Sequence, residues 1–364
     1  MRFMRTKLAR GSAESLAGRC TLRRVICWVV AVIVGIGASG AVSSAQTDPP
    51  YASTYAHSAR LIDVGGGRKL NLVCMGQGSP TVLFEAGVSD WSSKWVLVQP
   101  AIARRVRACS YDRAGMGFSD PEPAHFSLRN LAADLHALVH AAPIATPFVL
   151  VGHSMGGGLA LLYTELYPQD VSGLILIDPW NAYFFSHVND ATNGKYVAMR
   201  LASLASYRAC VRQSASEVLT PGTALFKGCT DPERPSMGPT LIAARHAIEA
   251  TSSYQQAQLQ DLTTLITTQP TELATAARNL GSLPLTVITT GRVFPDYGIG
   301  SAAEARIYYE SHSSLAARSS RSIHLHFPKQ PHNIILTQPS AIIDAISAIL
   351  DRLHVKPYGT NKSN

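Results

Sequence analysis

The run Phe148-Val149-Leu150-Val151 passes directly into Gly152-His153-Ser154-Met155-Gly156, and that into Gly157-Gly158-Leu159-Ala160-Leu161-Leu162-Tyr163. An apolar β-type run, a short turn bounded by glycines and an apolar helical run predict a buried strand that reverses sharply into a helix, with Ser154 at the apex of a G-x-S-x-G turn. A serine there sits in a strained backbone conformation, and neighbours without Cβ atoms let strand and helix approach closely. The helix begins at the serine, so its unpaired amides and positive dipole end point at whatever lies beside that hydroxyl. Such a pentapeptide also arises by chance as a turn with a capping serine, and its flanks separate the two readings.

Those flanks belong to a long alternation of strands and helices. A hairpin is predicted over Arg60 to Val64 and Lys69 to Met75, joined through Gly65-Gly66-Gly67. A short strand Thr81 to Phe84 ends at Glu85-Ala86-Gly87, a helix through Trp95 to Ala103 leads to strand Val106 to Tyr111, and Ser127 caps a helix with Leu128, Leu131, Leu135 and Leu138 on one face. After the serine turn and its helix, which ends near Pro168, Val171 to Ile177 reads as another buried strand. Strand periodicity then stops from Pro179 to Leu283, a stretch with helical patches such as Leu241 to Ala250. It resumes with Leu285 to Thr289, a helix over Ala302 to Ala316, strand Ile323 to Phe327 and a last helix Ser340 to Leu353. Continuous apolar strands alternating with helices predict an α/β fold: a mostly parallel, doubly wound sheet covered on both faces. The insert reads as a helical cap after the sixth strand, over the carboxyl edge where open α/β sheets bind ligands.

Charge and cysteine usage narrow the setting. The chain carries a formal charge of +8 over 364 residues, but seven of its basic side chains and a single acid fall within residues 1–45, so the rest is close to neutral. No basic stripe interleaved with aromatics is present, which excludes a nucleic-acid partner. The basic start precedes the uncharged run Val25 to Ala38 and the small residues Ser43-Ser44-Ala45, the three regions of an export signal in order. Residues 1–45 are therefore expected to be a signal peptide cleaved near Ala45, the protein then being secreted or periplasmic. The alternative is an uncleaved anchor on the outer face of the inner membrane, the only membrane association expected, since the apolar run is short of the about 20 residues of a span. The expected organisation is 1–45 signal, 46–178 and 283–355 core, 179–282 cap, and 356–364 disordered tail. Beyond residue 45 four cysteines remain, Cys74, Cys109, Cys210 and Cys229, an even number that predicts two disulfides in an oxidising compartment. No Cys/His cluster has metal-ligand spacing, so no metal is expected.

Together, the serine turn, its place in the chain and the order of elements resemble the α/β-hydrolase superfamily, in its esterase-like branch with a helical cap, over about residues 58 to 355. The segment Ser110-Tyr111-Asp112-Arg113-Ala114-Gly115-Met116-Gly117-Phe118-Ser119-Asp120 is similar to that family's loop after its fourth strand. The resemblance makes the second and fourth strands neighbours, which implies a Cys74–Cys109 bridge across them and leaves Cys210–Cys229 to staple the cap.

It also implies a division of labour. A serine hydroxyl is a poor nucleophile at neutral pH, so a base must take its proton and a carboxylate must hold that base in the right tautomer. The family's chain order is serine, acid, histidine, which makes Ser154 the nucleophile and His332, after the last strand, the base. His153, His324 and His326 are expected to be structural. For the acid the resemblance offers Asp178, 24 residues after Ser154 at the end of the sixth strand, or Asp296, five residues after Gly291; Asp178 is preferred. The oxyanion donors implied are the amides of Met155 and Val88. The function so implied is cofactor-free hydrolysis of a small or medium carboxylic ester through an acyl-enzyme. Carbon–carbon hydrolase, peptidase, lyase and cofactor-free peroxidase chemistry on the same fold, or a non-catalytic binding protein, are the alternatives.

Overall fold

In the computed structural model of this chain, residues 47–121, 127–232, 234–267, 269–274, 279–291 and 300–355 are described. The expected export segment and the tail 356–364 lie outside them. The hairpin forms as β1 (Leu61–Gly65) and β2 (Arg68–Met75), with Gly65, Gly66 and Gly67 all at positive φ, a turn that side chains with a Cβ rarely adopt. β3 (Val82–Glu85), β4 (Ala108–Tyr111), β5 (Phe148–His153), β6 (Val171–Ile177), β7 (Leu285–Thr290) and β8 (Ser322–Phe327) follow. The eight strands make one sheet in the order β1-β2-β4-β3-β5-β6-β7-β8, parallel from β4 through β8, with the β1–β2 and β2–β4 pairs antiparallel.

Period-two alternation decides which side each strand residue covers, and both sides are apolar. Leu83, Leu150, Leu174 and Leu176 enter one core with α3 (Leu128–Ala141) and α4 (Met155–Leu166). Val82, Phe84, Val149, Val151, Ile175 and Ile177 enter the other with Trp95 and with Ile342, Ile346 and Ile349 of α13 (Pro339–Arg352). Burial on both faces is what an uninterrupted apolar strand implies. Ser127 caps α3 as its sequence indicates, its Oγ accepting from the Asn130 amide.

One helix departs from expectation. In place of a helix through Trp95 to Ala103, a 3-10 turn over Ser92–Trp95 precedes the short α2 (Gln99–Ile102), with Pro100 in its first turn. Proline has no amide to donate and so starts a new helix there rather than continuing one. Among the described residues, the short α1 (Ala52–Tyr55) precedes β1.

Between β6 and β7 the described chain is helical: α5 (Ala182–Ala191), α6 (Lys195–Ser216), α7 (Ala224–Cys229), α8 (Pro239–Glu249), α9 (Ser252–Thr267) and α10 (Gln269–Ala274). Leu204 of α6 packs on Leu262 and Ile266 of α9. Phe184 and Val188 of α5 pack on Tyr196 and on Tyr308 of α11 (Ser301–Ala316), the helix after β7. α12 (Ile334–Thr337) precedes α13. Cys74 and Cys109 are direct register partners on β2 and β4 and are disulfide-bonded, and Cys210 and Cys229 join α6 to α7. No helix among the described residues is long and apolar enough to cross a membrane.

Candidate active site

Ser154 directly follows β5 with φ 54° and ψ −120°, outside the regions an L-residue normally occupies. The fold imposes that conformation. The Ser154 amide donates to Ile177 O at 3.0 Å, and its carbonyl accepts from Gly157 N at 3.0 Å and Trp180 N at 2.9 Å. The flanking glycines are obligatory for close approach: a Cβ on Gly152 would lie 2.3 Å from Gly156 O, and one on Gly156 would lie 2.3 Å from Ala86 O.

His332 lies in the turn between β8 and α12, and its ring bridges two of the expected side chains. Its Nε2 is 2.9 Å from Ser154 Oγ, and its Nδ1 is 2.5 Å from Asp178 Oδ2. A carboxylate only accepts, so Nδ1 carries the proton and Nε2 is left as the acceptor facing the serine hydroxyl. Asp178 follows β6 at φ 46° and is itself fixed on both oxygens, Oδ1 accepting from the Thr290 amide at 2.8 Å and Oδ2 from Thr290 Oγ1 at 2.7 Å. Burial pushes the Asp178 carboxyl up, but the hydrogen bond and charge of His332, with His312 and the Thr290 amide, outweigh it and hold the group well below the usual carboxylate range. The other acid considered, Asp296, lies outside the described residues.

Three other histidines, His153, His324 and His312, make hydrogen bonds of their own. His153 Nε2 is 3.0 Å from the His332 carbonyl oxygen, and burial, with the His332 and Lys94 charges, holds its pKa well below the ordinary value. His324 is bonded to Thr289 Oγ1 on the neighbouring strand. His312 places Nε2 2.8 Å from Pro179 O, and burial lowers its pKa to about 4, so it stands neutral beside the Asp178 turn.

Met155 opens α4 directly after the serine, and Val88 follows Gly87, where a Cβ would lie 3.3 Å from Ser154 Cβ. Both expected oxyanion amides therefore belong to residues adjoining the serine. What the sequence reading missed is how the Glu85-to-Ser89 loop is held. Arg113, buried, donates to Ala86 O and Gly87 O, each at 2.7 Å, and pairs with Glu85 and with Asp261 of α9 at 2.6 and 2.8 Å. Asp261 also accepts from the Ser89 amide at 3.0 Å. The S-Y-D-R-A-G segment marked Arg113, but its partners lie 28 and 148 residues away in sequence, beyond any local pattern. A second unforeseen network holds the His332 turn: buried Lys94 donates to Asn333 Oδ1 at 2.7 Å and pairs with Asp90, which Arg234 and Arg245 also engage. Burial brings the Lys94 pKa down to about 8.

Ser154 and His332 open onto a cavity of about 130 Å³, walled by Val88, Trp180, Phe184, Tyr196, Leu265 and Tyr308 and by Arg200. Among the described residues, one group with metal-ligand character lies elsewhere: His136, His140 and Asp170, whose donor atoms come within 4.8 Å of one another. Asp170 precedes β6, at the opposite end of that strand from Asp178. Its carboxylate also accepts from Tyr163 Oη at 2.8 Å.

The family described as alpha/beta hydrolase fold matches residues 80–199, a span that includes Ser154 and Asp178. RutD of Klebsiella pneumoniae subsp. pneumoniae, provisionally described as a carbamate hydrolase, is 35% identical over 104 residues, 28% of this chain and 39% of that protein. The chain thus matches well under half the length of such relatives. Among solved structures, CarC, a serine hydrolase involved in carbazole degradation, is similar with a TM-score of 0.55 at 16% identity, covering 80% of this chain and 98% of that one. An esterase from Thermogutta terrifontis gives 0.54 at 18% identity, covering 81% and 98%.

Proposed function

We propose that this chain, which has the α/β-hydrolase fold, is a serine hydrolase that cleaves carboxylic esters through an acyl-enzyme on Ser154. The observation that carries the reading is the single imidazole held between Asp178 and the Ser154 hydroxyl, at 2.5 and 2.9 Å. In the first half-reaction His332 Nε2 takes the Ser154 proton as Oγ adds to the ester carbonyl, and the resulting imidazolium is stabilised by ionised Asp178. The Met155 and Val88 amides stabilise the oxyanion, and His332 returns the proton to the departing alcohol. In the second half-reaction the same nitrogen takes a proton from water, which attacks the acyl carbon and releases Ser154. The carbamate description of RutD suits the same chemistry, because a carbamate offers a comparable acyl carbon.

Turnover of a panel of methyl and nitrophenyl esters from acetyl to octanoyl, with a nitrophenyl carbamate, tests this. Hydrolysis abolished by Ser154→Ala is expected; a wild-type protein inert on the whole panel would contradict the reading. Export belongs to the proposal as well, since two disulfides suit an oxidising compartment. Fractionation of expressing cells, with N-terminal sequencing of the exported species, tests release against anchoring.

A further inference from the structure

The cavity over Ser154 has walls of a simple kind. Trp180, Phe184, Tyr196 and Tyr308 supply aromatic faces and edges, Val88 and Leu265 add aliphatic surface, and Pro179 closes one side. Apart from His332, the one ionisable wall residue of permanent charge is Arg200 on α6, half-buried. α6 contains no aspartate or glutamate from Lys195 to Ser216. The carboxylates around the site are committed elsewhere: Asp178 to His332 and Thr290, Glu85 and Asp261 to Arg113. Among the described residues Arg200 makes no ion pair, whereas the other arginines brought to this side of the sheet, Arg113, Arg234 and Arg245, each have at least one carboxylate partner.

A guanidinium presented to a narrow, largely aromatic space has its strongest partner in a planar anion that accepts two parallel N–H bonds. The aromatic and aliphatic walls lower the local dielectric, so that contact is screened less than it would be on an open surface. Resting on the serine-hydrolase reading above, we propose that Arg200 anchors a carboxylate carried by the substrate, so that the natural ester is an anionic one. The aromatic walls then hold the portion between the anchored carboxylate and the carbonyl at Ser154.

The test compares charged and neutral esters of matched size on the full-length protein. Monomethyl glutarate against methyl pentanoate places the charge on the acyl side, and 4-acetoxybenzoate against 4-methylphenyl acetate places it on the alcohol side. Released acid is followed by titration. The expected result is a kcat/KM at least about tenfold higher for the charged member of one pair, carried mainly by KM and reduced by added salt. In Arg200→Gln that ratio falls towards one, whatever the absolute rates, and in Arg200→Lys it falls part of the way. Equal efficiency on both members of both pairs in wild type overturns the proposal, as does a ratio unchanged in Arg200→Gln. Fluorophosphonate labelling of Ser154 is run alongside: turnover without charge preference removes only the Arg200 reading, whereas no turnover and no labelling removes the hydrolase reading beneath it. Should Arg200→Gln not fold, the wild-type ratio and the lysine variant still decide the question.

Discussion

The guanidinium of Arg113 lies 2.7 Å from the carbonyl oxygen of Gly87, gripping from behind the peptide that ends in the Val88 amide. A backbone donor is useful in catalysis only if it is fixed before charge develops, because reorienting it later cancels its advantage. Arg113 fixes this one through two carbonyl oxygens and two carboxylates, one of them on α9 of the cap.

Arg113→Met is therefore expected to leave Glu85 and Asp261 buried without their counter-ion. Breaking a buried pair from one side costs about 3–5 kcal/mol, read as a lower midpoint in urea unfolding. Arg113→Lys, which keeps the charge but cannot span four acceptors, is expected to fold and to lose kcat more than it raises KM. A lysine variant with wild-type kcat would show that the clamp does not position the loop.

The acid is assigned by a paired comparison. Asp178→Asn keeps the side-chain shape but reverses the tautomer preference of His332, and a fall in kcat of roughly 10⁴-fold is expected, with Asp296→Asn close to wild type. Steady-state kinetics of the two variants, with melting curves to confirm folding, decide it. A large loss in Asp296→Asn alone would transfer the role.

Acid sensitivity follows from His312. Its imidazole stays neutral in the folded protein down to about pH 4 but protonates near 6.5 when the chain unfolds, so the unfolded state binds the extra proton between those values. Stability is full above pH 6.5 and is lost as the pH falls towards 4. At 1.36 kcal/mol per unit, the loss attributable to this residue is about 3 kcal/mol. In His312→Gln the difference between unfolding free energies at pH 6.5 and pH 4 should shrink by about that amount. An unchanged difference would count against the assignment.

The Cys210–Cys229 bridge closes a 19-residue separation between α6 and α7. Replacing both cysteines by serine should cost roughly 3 kcal/mol in the chain-entropy account, confined to the cap. Proteolysis of native protein should then cut within 195–230 well before the core. Equal resistance in both forms would show that the cap does not depend on the bridge.

How much of this could be read from sequence depended on range. The serine turn, the capped helix at Ser127 and the buried strands are local patterns, each written within a dozen residues, and they fold as read. Cys74 and Cys109 paired correctly only once the family resemblance made their strands neighbours. Pro100 broke a helix because one missing amide outweighs an apolar period. The Arg113 and Asp90 networks join residues more than a hundred positions apart, and Arg200 meets the serine cavity from a separate helix of the insert; no periodicity encodes such meetings. Gln-, Ser- and Thr-rich α9 gave a weak helical signal because its core-facing side includes polar residues such as Gln255, Gln258 and Asp261.

The central claim is that His332 activates the Ser154 hydroxyl for attack, and the most direct measurement is mass spectrometry of folded protein after exposure to a fluorophosphonate. A single adduct on the peptide containing Ser154, lost on prior heat unfolding and slowed at least about a hundredfold in His332→Ala, is the predicted result. No adduct in the folded wild type, or labelling of Ser154 as fast without His332 as with it, would contradict the account.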